Sequence, residues 1–308
     1  MNNVPTASGS TATNGEASKW LVIGIPTVAR PNNEDYLLKT LAAMAAQFPD
    51  NPSDLYYHQV LVVVVNVQSP ELNPNPHTRF EEARALYALT AGHPKAHYFK
   101  FIQADPHEVS LSLDLKKNAV GKDLGSANVP GKMVRKQTRD VALVLTKSVN
   151  LGKHYLFLED DMEVCAFALT SFQYVLNKAS LYHPDWLAIR ASYGMNGIFM
   201  HNKDLLVFAD YLRKNQVRRP PDHLVVEWFA GETAESKAYK GGRANIGFRY
   251  NLFDHLGVSS SLRAAKQSSF PRCYEKLGVP TVFAVEAFDP KACGKDDMWP
   301  CDHIAPAS

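Results

Sequence analysis

The sequence predicts an α/β fold, a mostly parallel sheet flanked by helices. Three observations predict it. Apolar, β-branched runs without polar alternation, WLVIGI (20–25) and QVLVVVVNV (59–67), have the pattern of strands covered on both faces. Segments with apolar residues three and four apart lie between such runs, so strand and helix alternate. The composition is that of an ordinary globular chain, with 308 residues of which 45% are hydrophobic and 21% charged.

The elements follow in order. Residues 1–18 are rich in Ser, Thr, Asn and Gly, bury too little apolar surface to offset ordering entropy, and are expected to be a flexible leader. The first strand is expected at 20–25, closed by Pro26. Leu37, Leu41, Met44 and Phe48 are spaced as a helix that Pro49 ends. After the strand at 59–67 come a helix over 80–89, a short strand over 97–102 and a long polar segment over 105–130, of the kind that is often functional. Val134, Thr138, Val141 and Leu145 predict the next helix and 155–158 the next strand. A helix over 169–181, a strand over 186–189, helices over 204–214 and 222–229, and strands over 246–248 and 281–285 complete the series. No internal repeat or second-domain linker is read, so residues 19–308 are expected to form a single domain.

The net charge is +2, from 33 Lys and Arg against 31 Asp and Glu, which argues against a nucleic-acid or membrane-surface binder. No apolar run approaches the roughly 18 residues of a spanning helix, and the start has neither the charged nor the apolar region of a signal peptide. Four cysteines in a chain of this length predict no disulfide framework. Cys293 and Cys301 are too isolated for a zinc site and suit either a small disulfide loop or free thiols. Phosphate-binding, dinucleotide-binding and nucleophile-elbow glycine motifs are absent from the sequence.

The most informative stretch is Tyr155 to Glu163, where an apolar strand runs into Glu159, Asp160 and Asp161. In open α/β sheets ligands bind at the carboxyl ends of strands. Adjacent carboxylates repel, and hard divalent cations such as Mg²⁺ or Mn²⁺ neutralise them while sharing ligands with substrate phosphates. The triplet therefore suits a metal–diphosphate site; it equally suits a solvated loop with a helix N-cap. Lys132, Arg135, Lys136 and Arg139 form a basic stripe, read either as balancing a diphosphate or as a solvated helix face. His255, before Gly257, reads as a metal ligand or as a structural histidine.

Four blocks together give the chain a resemblance. LVIGIPTVAR (21–30), KQTRD (136–140), LEDD (158–161) and FRYNLFDHLGVSSSL (248–262) are similar, in that order, to the glycosyltransferase family of N-acetylglucosaminyltransferase IV, whose members branch N-linked glycans. The resemblance covers roughly residues 20 to 265 and is most specific around His255. It implies a glycosyltransferase A-type, Rossmann-like fold and inverting, metal-dependent transfer of N-acetylglucosamine from a UDP-sugar, usually with Mn²⁺. It implies that Asp161 and His255 bind the metal, that Glu159 and Asp160 hold the ribose or support the metal, and that Pro26, Thr27 and Arg30 lie against the uridine. Lys136 and Gln137 match a helix facing the donor.

Inversion also needs a carboxylate to take the acceptor's proton. Asp222, after two prolines at a helix start, is the candidate, with Glu227 second. The expected partners are a UDP-sugar and a glycan acceptor. The resemblance also implies the Golgi lumen, although no membrane anchor, Asn-linked glycosylation signal or C-terminal sugar-binding sandwich is read in the chain. Two alternatives remain: a related transferase using UDP-GalNAc or UDP-Gal on a GPI anchor or other glycan, and a non-catalytic nucleotide- or glycan-binding protein.

Overall fold

A computed structural model describes residues 18–111, 125–126, 128–257, 270–277, 288 and 291–301. The expected leader, the expected strand over 281–285, most of the centre of the 105–130 segment and the serines at 259–261 lie outside the described residues.

The strands are β1 (Lys19–Thr27), β2 (Val60–Asn66), β3 (Phe99–Gln103), β6 (Gly152–Phe157), β8 (Ala188–Arg190), β9 (Ile198–His201), β10 (Asn245–Phe248) and β12 (Met298–Trp299) of one sheet. Their order is β12-β10-β8-β9-β6-β1-β2-β3, with β9 and β12 antiparallel to their neighbours and the rest parallel. The small ribbons β4 (Gly125–Ser126) with β5 (Val129–Pro130), and β7 (Met162–Val164) with β11 (Phe253–His255), stand apart from it. The helices are α1 (Tyr36–Ala45), α2 (Thr78–Leu86), α3 (Lys132–Lys147), α4 (Ala168–Tyr182), α5 (Leu205–Asn215), α6 (Pro221–Ala230) and α7 (Ala234–Lys240).

Side chains alternate across each strand, so one apolar run feeds two cores. Ile23, Val62 and Leu156 pack with α1, α2 and α4 on one face, while Val22, Val63 and Tyr155 pack with α3, α5 and α6 on the other. This is the predicted α/β class, a mostly parallel sheet flanked by helices on both faces. Among the described residues no helix is long and apolar enough to cross a membrane.

The expected strands and helices that fall on described residues are found with their ends moved by a few residues. β1 is extended: it continues through Pro26 to Thr27 instead of closing there. The Gly24 carbonyl accepts from Leu158 N, so even-numbered residues of β1 face β6. Pairing with β6 stops at Gly24, so the N–H that Pro26 lacks falls where no ladder continues. β9, α7 and the β7–β11 ribbon were not predicted. They are too short to show a period, and α7 is held instead by a Thr233–Ser236 capping box.

The expectation of no disulfide framework is corrected, and of the two readings of Cys293 and Cys301 the small disulfide loop holds. Cys165–Cys273 and Cys293–Cys301 are both disulfides, and among the described residues no cysteine is free. The first pairing joins positions 108 residues apart, which spacing cannot show.

His154 and His201 face each other across the β6–β9 pair and stack with Trp186, the Trp186 and His201 rings lying 3.8 Å apart. Burial and the neighbouring His201 push His154 down to about 3, and burial pushes His201 down to about 4. Unfolded, both titrate near pH 6.5. The stability gained by holding them neutral is therefore complete above about pH 6.5 and lost as the pH falls towards 4. A His154→Phe/His201→Phe variant keeps the stack without the titration. Its Tm, followed by calorimetry from pH 7 to 4.5, is expected to fall less than that of the wild type; equal falls would refute the assignment.

Candidate active site

The chain runs outward from β1 to β2 and β3 on one side and to β6 on the other, making the β1–β6 boundary a topological switch point. In open sheets of this kind the crevice outside the carboxyl ends of the strands there takes the ligand. A cleft of about 420 Å³ opens at that place. Pro26 and Thr27 line it from the end of β1 and Arg30 from just beyond it, Val67 and Gln68 from beyond β2, Met133, Lys136 and Gln137 from the start of α3, and Glu159 and Asp160 from beyond β6. All seven residues expected to touch the donor thus meet at one cleft.

The three carboxylates are turned to different partners. Glu159 is paired twice with Asn196: its N–H donates to Asn196 Oδ1 at 2.8 Å, and Oε2 accepts from Asn196 Nδ2 at 2.7 Å. Burial and the nearby Asp161 charge push Glu159 up to about 7. Asp160 accepts from Thr27 Oγ1 at 2.6 Å through Oδ2 and is ion-paired with Arg30 through Oδ1. Burial raises its pKa while the Arg30 charge opposes the rise. Arg30 Nη2 also lies 3.2 Å from Asp161 Oδ2, so one guanidinium offsets the repulsion between the two aspartates.

Since the Thr27 proton goes to Asp160, the His77 Nε2 found 2.8 Å from Thr27 Oγ1 must donate to that oxygen. His77 fits this role, because burial and the Arg30 charge push it down to about 4 and keep it neutral.

Asp161 immediately precedes the ribbon strand β7. Its carbonyl accepts from Leu256 N at 2.8 Å, and the following residue, Met162, is in register with His255. This brings His255 Nε2 to 3.5 Å from Asp161 Oδ2. Burial works against ionisation of Asp161, but the adjacent imidazole and Arg30 outweigh it and hold the carboxyl below its usual range. Asp161 raises His255 in turn against the effect of burial.

Asp161 Oδ1 is buried with no hydrogen-bond partner among the described residues. A Cβ on Gly257 would overlap Asp161 Oδ2 and lie 3.0 Å from Cε1 and Nε2 of His255, so the glycine keeps this cradle open. A buried, unshared carboxylate oxygen beside an imidazole is a donor set that suits Mn²⁺. Among the described residues no third His, Cys, Asp or Glu joins them, so substrate oxygens and water would complete a coordination shell.

The basic stripe is not a solvated face. Lys136 is buried, donates to Val67 O at 2.7 Å and pairs with Asp140 Oδ2 at 2.6 Å, tying α3 to the end of β2. Burial pushes Asp140 up to about 6 against the Lys136 charge. Arg139 Nη1 donates to Gln216 Oε1 at 2.8 Å, linking α3 to the segment after α5.

The two candidate bases are not brought to the cleft. Asp222 lies in the first turn of α6, where its carboxylate accepts from His223 N at 3.0 Å, and it is not part of the cleft lining. Glu227 is buried between α5 and α6, where Tyr211, Arg218 and Arg219 engage both its oxygens. Burial alone would raise Glu227, but those partners lower it, leaving a locked structural anion. Sequence reasoning missed His77, Asn196 and the packing role of Gly257. Of these only Gly257 carried a signal, its place in the block around His255.

Over 129 residues the chain is 31% identical to the alpha-1,3-mannosyl-glycoprotein 4-beta-N-acetylglucosaminyltransferase C of Danio rerio, covering 42% of this chain and 26% of that protein. The match thus spans about a quarter of that relative's length. Over this stretch it supports the resemblance to the N-acetylglucosaminyltransferase IV family. No family model matches the chain. Among solved structures, S. aureus TarS 1–349 is 16% identical with a TM-score of 0.34, covering 63% of this chain and 49% of that one. The same protein in complex with UDP-GlcNAc is 19% identical with a TM-score of 0.27, covering 56% and 34%. Likenesses this distant carry no argument.

Proposed function

We propose that this chain is a metal-dependent, inverting glycosyltransferase that moves N-acetylglucosamine from UDP-GlcNAc to a mannose-bearing glycan. The observation that carries the reading is the meeting, at the switch point, of Thr27, Arg30, Lys136, Gln137, Glu159 and Asp160 in one cleft, with the Asp161–His255 pair reached through Arg30. The partial match to a 4-beta-N-acetylglucosaminyltransferase supports the sugar and the acceptor class.

In this reading Pro26 and Thr27 border the nucleoside, and Glu159, fixed by Asn196, is placed for the ribose hydroxyls. Arg30, which pairs with Asp160 and Asp161 and lines the cleft, keeps a guanidinium beside the place of the diphosphate. Asp161 and His255 would hold the cation, which offsets the charge developing on the leaving diphosphate. The two disulfides fit maturation in an oxidising compartment, which supports the Golgi lumen.

The test is UDP release from UDP-GlcNAc, UDP-GalNAc and UDP-Gal with and without Mn²⁺, on wild type and Asp161→Ala. UDP-GlcNAc is expected to be preferred, and chelation and Asp161→Ala each to lower release by on the order of 10²-fold or more. Chelator-indifferent release would remove the metal, and a preference for UDP-GalNAc would redirect the donor.

A further inference from the structure

Outside the cleft, the least expected feature of the chain is a pair of exposed aromatic residues with left-handed backbone. Among the described residues five non-glycine positions have positive φ. Three are asparagines, which tolerate that region. The other two are Phe167, at φ 61 and 79% exposed, and Tyr274, at φ 64 and 42% exposed. An aromatic residue in this region is a true outlier and persists only where its surroundings enforce it.

The enforcement is visible. Phe167 follows Cys165 by two residues and Tyr274 follows Cys273 by one, so the Cys165–Cys273 disulfide braces both. The Tyr274 hydroxyl donates to Ala166 O, and Tyr274 N donates to Asn251 O at 2.8 Å. Gln47 clamps the other side, donating to Cys165 O at 2.9 Å and accepting from Ala168 N at 2.7 Å. None of this buries the Phe167 ring, so packing does not account for it.

Phe167 forms one wall of a groove of about 650 Å³ between the end of α1, residues 54–56 and the start of α4. Asp54, Tyr56, Thr170 and Gln173 supply polar atoms around the aromatic face, and no Lys or Arg lines the groove. An apolar platform rimmed by amide, hydroxyl and carboxylate groups, without cations, matches a neutral polyhydroxylated ring and disfavours phosphate or polyanion. Phe167 lies six residues beyond Asp161, at most about 20 Å away along the chain. Residues 54–56 precede β2 and Tyr56 packs against Trp20 at the start of β1, so the groove lies towards the amino ends of the strands, and only an acceptor long enough to run past α1 would reach both it and the cleft.

We propose that this groove is a carbohydrate subsite, in which a pyranose ring of the acceptor, remote from its reacting hydroxyl, stacks on Phe167. The proposal rests on the glycosyltransferase reading for the name acceptor, but the binding itself does not. Remote contacts of this kind supply binding energy that orients the reacting end.

The experiment titrates a mannose-terminated biantennary oligosaccharide into wild type, Phe167→Asn and Phe167→Tyr by calorimetry, without nucleotide or cation. UDP binding with Mn²⁺ and Tm are measured on the same proteins. Phe167→Asn relieves the backbone and is expected to raise Tm, weaken the oligosaccharide about tenfold and leave UDP affinity unchanged, while Phe167→Tyr retains oligosaccharide binding. A lower Tm in Phe167→Asn with unchanged oligosaccharide affinity would make Phe167 structural and overturn the proposal. So would a wild type that binds no oligosaccharide. Absence of UDP binding would instead refute the donor site and leave this titration readable.

Discussion

Gly257→Ala is expected to lower UDP release by on the order of 10²-fold while Tm stays within a few degrees of wild type. The added methyl meets Asp161 Oδ2 and the His255 ring, and neither can give way. Asp161 is held by Arg30 on one side and through its carbonyl by Leu256 N, while His255 is fixed in the ribbon ladder opposite Met162. The backbone of Gly257 is not in the left-handed region, so alanine adds a contact and no backbone strain. A displacement near 1 Å at a charged site is enough for a loss of this size. Turnover like that of wild type would show that the Asp161–His255 cradle is not where the reaction is supported.

The second large effect concerns stability. Cys165→Ser/Cys273→Ser opens a cross-link between positions 108 residues apart, and a loop of that length corresponds to about 5 kcal/mol of lost stability. For a chain of this size Tm is expected to drop by roughly 10 °C. The drop from Cys293→Ser/Cys301→Ser, which spans 8 residues, is expected to be smaller. The larger bridge also steadies the site, because Cys273 N donates to Asp254 Oδ1 at 2.8 Å, next to His255. Melting followed by circular dichroism compares the two variants; equal drops would contradict the loop-length argument.

Much of the site was legible because its signals are local. An apolar strand that runs into three carboxylates marks a strand end whatever its neighbours are. The block around His255 and the KQTRD segment marked the other walls. The misreadings have one cause, which is that partners distant in sequence decide what a charged group does. Glu227 has the chemistry of a base, yet Tyr211 and Arg218 consume it. The sequence left Lys136 open between a solvated face and a donor-facing helix, and only Val67 O and Asp140 show how it is enclosed. The β7–β11 ribbon escaped notice because three-residue strands show no period, and His77 because a lone histidine carries no motif.

By itself the sequence determined the α/β class, the order of its principal elements and the strand end where the acidic residues gather, since periodicity and apolar runs encode burial directly. Only the tertiary structure decided which carboxylate Arg30 neutralises, that Asp161 faces His255 across a glycine, that all four cysteines pair and that two strained aromatics stand in solvent. Those outcomes depend on distances between segments up to 130 residues apart, as Arg30 is from Asp160, and such distances exist only once the chain has packed.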